Sequence, residues 1–436
     1  PITGSPAKPK VEGDGEPFEY AVKMAQFPEE ARLDRVLEAG ALSVQALRDF
    51  GVHLARVHAT ADRHESRRYG TPVLVGQRML ENLEQLERLL EPAERACFPP
   101  LLEWTRAKLA AHREQLAERA TTEMVRECHG DLHLSNLVAL TQGIVAFDCI
   151  EFDPALRWID VIDDVAFLVM DLQLRERDDL GYAFVDSYLA ASGDYSGAQL
   201  FDLYRVHRSL VRAKVAGIAR RAHEARRHEM QNKLERHLAL AARYIVPRSP
   251  VLILMHGLPA SGKSWLAERL VPRLPALRLR SDVERKRLAG LTAQARSDSP
   301  VGGGLYDRAH DRAVYAKLAE LASALLRAGH HVIVDAAFLL RNQRQDFYAL
   351  ARSAGARCIV IECNAPRRVL EQRVRARATE PNVSEADEAV LDYQMTRREA
   401  DSASEDAMVL QIDTTGEPDL PRLVERILDG SQDQAR

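Results

Sequence analysis

The eight residues Gly257-Leu258-Pro259-Ala260-Ser261-Gly262-Lys263-Ser264 constrain this chain more than any other stretch. They follow an apolar run, Val251 to Met255, and precede a segment in which Leu266 and Leu270 fall four apart. A short apolar run reads as a strand buried on both faces, and a four-residue step reads as one face of a helix. Glycines at both ends of the loop let the backbone turn its N–H groups toward one point at a helix start, where they and the helix dipole attract phosphate. Lys263 is then placed to reach the β- and γ-phosphates of a nucleotide, and the Ser264 hydroxyl to hold Mg²⁺. The alternative, a plain glycine-rich turn, explains neither the strand before the loop nor the helix after it.

Downstream residues extend this reading. Asp282 follows Arg280 and Ser281, with Arg285 one helical turn on. A carboxylate there can take the proton of an attacking hydroxyl while the guanidinium orients that acceptor. A helix N-cap is the competing role for Asp282. Asp335 closes the apolar run Val332 to Val334, where an acid can hold Mg²⁺ directly or through water; its alternative is a capped turn. Arg373 and Arg377 lie four apart, so one helical face would aim both at phosphate, unless that face is simply solvated.

A second chemical signature lies in the N-terminal half, at His129-Gly130-Asp131-Leu132-His133-Leu134-Ser135-Asn136, followed by a strand at Ile144 to Phe147 and by Asp148. A kinase-type loop needs an Asp for the acceptor proton, an Asn five residues later for Mg²⁺, and a second metal-binding Asp on the next hairpin. Asp131, Asn136 and Asp148 have that spacing. His133 orients the loop, touches substrate or is structural, and Glu151 and Asp153 are outer acids or part of a solvated turn. His53 and His58, five apart on a packed helix, are poor partners for one metal.

GLPASGKS, RSDVER, VIVDAAF and RVRAR together resemble the P-loop kinases of the polynucleotide-kinase and zeta-toxin-like group. HGDLHLSN, IVAFDCIEFDPALRWIDVIDDVAFL and YRVHRSLVRAKVAG resemble the aminoglycoside phosphotransferase family. The whole is similar to bifunctional aminoglycoside phosphotransferase/ATP-binding proteins. The resemblance implies a mostly helical protein-kinase-like large lobe, α+β in class, joined to an α/β P-loop domain with a parallel sheet. It implies ATP and Mg²⁺ as cofactors, and a hydroxyl acceptor on a small molecule or a nucleic-acid end.

Prolines at 247 and 250, after a long arginine-rich helix, place the boundary between residues 1–246 and 247–436. A kinase-like lobe also needs a phosphate-covering loop and a strand lysine ahead of its catalytic loop. Ala21-Val22-Lys23 has the lysine, but no glycine-rich loop after a strand precedes it. Most of the small lobe is therefore expected before Pro1. Around these motifs the pattern predicts a loop through Gly15, a strand at Phe18 to Met24, helices carrying Leu47, Phe50, Leu54 and Val57, then Met79 to Leu90 and Leu101 to Glu118, and helices again from Val161 to Tyr244.

The chain has 436 residues, a formal charge of −4 and nine Lys among its 60 basic residues, leaving 60 − 9 = 51 Arg. That balance lacks the basic excess that general nucleic-acid binding needs, leaves a local basic groove open, and makes any motif lysine conspicuous. Five cysteines without a CxxC pair argue against a disulfide framework or structural zinc. With no run of ~18 apolar residues, no membrane span is expected, and the reading is a cytoplasmic kinase. The competing class is a switch protein in which the N-terminal half binds a small molecule or partner and ATP changes conformation without phosphate transfer.

Overall fold

The computed structural model describes residues 1–23, 26–64, 68–293, 295, 297, 299, 303–377, 387–399 and 407–429, without the side chain of Arg377. The C-terminal part is a five-stranded parallel sheet in the order Met408–Asp413, Arg357–Asn364, Val251–His256, His331–Asp335, Ala276–Arg280. Every residue of the central strand Val251–His256 is buried, as a strand covered by helices on both faces requires. From that strand the chain crosses to the edge at Ala276–Arg280, returns to His331–Asp335, and only then builds the other side. Helices Lys263–Leu270, Arg308–Arg327, Arg341–Ser353 and Leu420–Asp429 provide the crossovers and covering layers. Strand pairing aligns Met255 with Asp335, and Asp335 with Arg280. The carboxyl ends of three strands therefore lie in one row, where sheets of this kind hold ligands.

The N-terminal part is mainly helical. Helix Val44–Thr60 packs against Asp178–Ser192, and the long pair Phe201–Ala222 and Arg227–Ile245 packs together beside Val161–Leu174. Between the helices lie two small antiparallel pairs, Val125–Glu127 with Trp158–Asp160 and Leu137–Leu140 with Gly143–Ala146, which carry the histidine-glycine-aspartate loop. Leu47, Phe50 and Leu54 are buried as their spacing predicts, whereas Val57 is 43% exposed because it turns off that face.

Three local expectations are corrected. The predicted strand at Phe18 to Met24 does not form over its described residues; only Glu19 bridges Ile2, and Tyr20 and Val22 are exposed, so no second layer buries their alternate side chains. Met24 itself lies outside the described residues. A hairpin of Ile2–Ser5 and Lys8–Val11 occurs instead within the segment read as loop, its turn following Gly4 in the left-handed region. The single helix predicted from Leu101 to Glu118 is two, Phe98–Ala111 and Arg113–Thr121, broken at His112, whose φ of −101° and ψ of 12° leave the helical well.

The two parts share one continuous apolar core. Helix Asp178–Ser192 covers the edge strand Ala276–Arg280, and Arg278, 5% exposed, forms a two-pronged pair with Asp186, 2% exposed, at 3.1 and 2.8 Å. Burial opposes the Arg278 charge, but the Asp186 charge and hydrogen bonds raise its affinity for a proton overall. Tyr195 donates to the Arg278 carbonyl at 3.2 Å, and His330 contacts the Ala198 carbonyl at 2.9 Å. Asp186→Ala leaves a buried guanidinium uncompensated and is expected to cost about 3–5 kcal/mol. Urea unfolding checks this; a loss under about 1 kcal/mol would mean that water reaches Arg278.

Candidate active sites

The loop after Val251–His256 bends sharply. Gly257 has φ 141° and Gly262 φ 88°, and Ala260 is held at φ 59°, a conformation that costs a residue with a side chain about 1 kcal/mol or more. A Cβ on Gly257 would sit 2.6 Å from the Cys363 carbonyl and 2.7 Å from Ser261 Oγ. Only glycine lets the loop come this close to the neighbouring strand. Lys263 Nζ donates to the Leu258 carbonyl at 2.7 Å, so the ammonium arches over the loop. Ser264 Oγ donates to Asp335 Oδ1 at 3.0 Å, with Asp335 only 5% exposed. A hydroxyl and a carboxylate in contact are the hard oxygen set that suits Mg²⁺. Ser261 Oγ is buried without a hydrogen-bond partner, an orphan polar atom inside the cradle. The donor set and the cradle fit a nucleotide with its metal.

Asp282 lies in the first turn of Ser281–Leu288 but does not cap it; the cap position is Arg280. Ser281 donates to the Asp335 carbonyl at 3.1 Å, which ties this helix start to the metal-side strand. Arg285, 7% exposed, donates to Asp311 at 2.6 Å and to the Leu305 carbonyl at 2.8 Å, and its guanidinium covers the Tyr306 ring. Asp282 and Arg285 line one small cavity of about 120 Å³. Arg373 contacts the Ala260 carbonyl at 3.2 Å and the Thr414 carbonyl at 2.5 Å, so it reaches the phosphate loop through backbone oxygens. Arg377 ends the same helix, and its side chain lies outside the described residues.

In the other half, Asn136 Nδ2 donates to both the carbonyl and the carboxylate of Asp131 at 3.1 Å. His133 Nε2 lies 3.2 Å from Asp131, and Arg212 stands 3.4 Å from the same ring nitrogen. Asp148 is exposed and left-handed, with φ 60°. It follows Phe147, whose N–H donates to the Asn136 carbonyl and whose carbonyl meets His129, so the metal-side hairpin is pinned to the loop. Asp153 caps Pro154–Arg157 through the Ala155 N–H, and Glu151 is exposed. Lys23 is on the surface beside Glu12.

Residues that motif reading passed over hold this loop in place. Asp164 accepts the N–H of Gly130 at 3.0 Å and of His129 at 3.2 Å, and Asp171 accepts that of Leu134 at 3.0 Å. Arg208 pairs with Asp163 and donates to the Gly130 carbonyl at 2.8 Å. Their signal was present: Asp160, Asp163, Asp164 and Asp171 recur in an otherwise apolar run, and buried carboxylates need partners. His58, Cys128 and Asp164 form a buried trio with ligand atoms within 4.8 Å of one another. His58 is already bonded to Tyr188 and Asp164, and burial pushes the Cys128 thiol well above its usual range; through Asp164 the trio backs the loop. All five cysteines are free.

The pattern of the phosphotransferase enzyme family matches residues 28–201, and that of an AAA domain matches residues 252–400. These two domains define an ATP-dependent kinase, a phosphotransferase; families of this kind act on a hydroxyl acceptor and usually use a divalent metal. The chain belongs to the bifunctional aminoglycoside phosphotransferase/ATP-binding protein family. A Mycobacterium tuberculosis protein, itself uncharacterized, is 31% identical over 362 residues, 83% of this chain and 72% of its own. A gluconokinase from Sinorhizobium meliloti is similar to 42% of this chain over 92% of its own, at 19% identity and a TM-score of 0.29. A choline kinase from Cryptosporidium parvum is similar to 50% of this chain over 68% of its own, at 11% identity and a TM-score of 0.34. Among the described residues no helix is long and apolar enough to cross a membrane.

Burial pushes the Asp131 carboxyl upward. The His133 hydrogen bond and the charges of His133, Arg212 and Arg208 outweigh it and hold the group at about 2, below its ordinary 3.8. Because the folded value is the lower one, this stabilises the fold above pH 3.8 and the contribution fades as pH falls through about 2. His133→Ala removes the largest favourable contribution and should raise the Asp131 midpoint in carbon-detected NMR; an unmoved midpoint would give the whole effect to the arginines.

Proposed function

We propose that the C-terminal half carries the working site and transfers the γ-phosphate of ATP to a hydroxyl of a small acceptor molecule. What supports this is the register of three strand ends: Met255, just before the phosphate loop, aligns with Asp335, and Asp335 aligns with Arg280, two residues before Asp282. In this reading the loop from Gly257 to Ser264 cradles the phosphates and Lys263 spans the β- and γ-phosphates. Ser264 and Asp335 hold Mg²⁺, which when bound neutralises charge developing on the transferred group. Asp282 orients the acceptor hydroxyl and takes its proton, Arg285 shapes the pocket, and Arg373 with Arg377 closes over the nucleotide.

The acceptor class follows from the walls. The small cavity at Asp282 adjoins a larger one of about 470 Å³, sharing Asp311, Tyr315, Gln343 and Arg397 and adding Arg308, Arg312 and Asn342. Arg308 and Arg312 have no side-chain hydrogen-bond or ion-pair partner among the described residues, but neither has Asp346 on the same wall, and Glu399 lines it too, so the cavity offers an acceptor both signs of charge. A space of this size suits a small molecule better than a polymer end.

Asp282→Asn is expected to lower transfer by roughly 10²- to 10⁴-fold with ATP affinity nearly intact, since the carboxylate acts on the acceptor. Calorimetry with ATP decides this: equal loss of nucleotide binding would assign Asp282 to the metal. Lys263→Ala should cost on the order of 10²-fold or more in turnover; undiminished turnover would move the working site elsewhere and favour the switch reading.

The N-terminal loop supplies a base and metal ligands in Asp131, Asn136 and Asp148, but among the described residues no lysine or glycine-rich loop covers them. Phosphoryl transfer depends on positioning and preorganised charge, so a nucleotide held from one side turns over little. Asp131→Ala is expected to change ATP consumption of this chain by less than about twofold, and a large loss would raise Lys23 to the ATP lysine.

A further inference from the structure

Away from both catalytic loops, a cleft of about 810 Å³ opens between the halves, walled by helices Val44–Thr60 and Asp178–Ser192 on one side and by Ala276–Arg280 and Ser281–Leu288 on the other. Its size is that of a small-molecule site, and clefts between domains are where such sites concentrate. Its charges are unevenly matched. Of the carboxylates on its walls, Asp186 is paired with Arg278, Glu268 with Arg48, Glu123 with Arg63 and Asp194 with Arg119, while Asp49 accepts from the Gln45 amide. The side chains of Arg56 and Arg280, which also line it, have no hydrogen-bond or ion-pair partner among the described residues. Arg126 donates only to the carbonyls of Glu123 and Ala61. Three guanidiniums thus border the cleft without a carboxylate of their own. Strand alternation puts Arg280 on the same face as Arg278, toward the cleft, while Leu277 and Leu279 turn into the core.

We propose that this cleft binds a small phosphate-bearing molecule, held by Arg56, Arg126 and Arg280. Planar guanidinium groups match phosphate oxygens in pairs, and the excess of arginine over carboxylate favours an anion here over a cation or a neutral ligand. The walls also reach both catalytic loops from behind. Arg280 is followed directly by Ser281, which is bonded to the Asp335 strand, and by Asp282. On the opposite wall His58 contacts Asp164 at 3.4 Å, the carboxylate that holds the N–H groups of His129 and Gly130. A ligand bridging the walls fixes the spacing of the two loops, so its binding couples to both sites by whatever difference in affinity it has for their arrangements.

The test uses the full chain carrying Lys263→Ala, to separate the cleft from the phosphate loop, titrated calorimetrically with inorganic pyrophosphate and, in a second arm, with ribose 5-phosphate. Binding of either compound, weakened at least about tenfold when Arg56→Gln and Arg280→Gln are added, is expected, since each lost charge-assisted contact is worth about that factor. The arm that binds tells a linked phosphate from a phosphomonoester. Arg56 is exposed, so Arg56→Gln alone leaves the fold intact and should weaken binding about tenfold. Amide hydrogen exchange should slow in residues 44–60 and 276–283 on addition of the compound that binds. Affinity unchanged by the arginine substitutions, or binding seen only with Lys263 in place, overturns the proposal, as does no binding of either compound at millimolar concentration. None of these outcomes depends on whether the phosphate loop is the catalytic centre.

Discussion

The pair between Asp186 and Arg278 is the constraint on which the arrangement of this molecule rests. Both groups are nearly fully buried, so neither tolerates loss of the other. Arg278 belongs to the edge strand of the parallel sheet, and an uncovered edge is a template for unwanted strand pairing. Helix Asp178–Ser192 covers that edge, and the charge pair fixes its position along the strand. The same strand ends at Arg280 and delivers Ser281 and Asp282, while the same helix packs on Val44–Thr60, which carries His58. The two candidate loops are thereby referred to one joint.

Legibility in the sequence followed the range of the interaction. The phosphate loop was readable because its chemistry is local: two glycines, a lysine and a serine act within eight residues, and the strand and helix that flank them have short-range patterns. Asp131, Asn136 and Asp148 were readable for the same reason. The partners that hold those loops were not, because Asp164 is 34 residues from Gly130 and Asp186 is 92 from Arg278. What the sequence showed was only that carboxylates stand at helical spacing among apolar residues. The misread segment near Phe18 is the converse case: aromatic and branched residues alternate there, yet strand preference expresses itself only against a second layer, and those side chains meet water.

The preference for arginine over lysine takes on structural meaning in the interior. Arg119 joins Asp160 and Asp194 at once, Arg208 joins Asp163 to the Gly130 carbonyl, and Arg220 joins Glu94 to the Leu89 carbonyl. Each uses the five donors of a planar fork to satisfy several acceptors from different elements, which an ammonium on a flexible stem does less well. A chain that ties helices together through buried carboxylates selects the side chain that stays charged when buried and can be shared. Lysine is then left for places where a compact charge must reach a point, as Lys263 does over its loop.

The two candidate bases are held differently, and this separates their chemistry. Asp131 already accepts from Asn136 and lies beside His133, and its carboxyl titrates at about 2, so at neutral pH it is a weak proton acceptor. A general base works best when its own affinity for the proton is near that of its surroundings. Phosphoryl transfer relaxes that demand, because bond breaking to the leaving group runs ahead of bond formation and the acceptor proton is lost late. An aspartate held in the ionised state can still orient a hydroxyl and offer negative charge to a metal, so its low affinity for a proton does not bar Asp131 from the proposed role. The Asp282 side chain has no hydrogen-bond or ion-pair partner among the described residues and stands half-buried over a cavity, beside an arginine already committed to Asp311. With its oxygens uncommitted, it can meet a hydroxyl without first giving up a contact, which is what the proposed role as base requires of it.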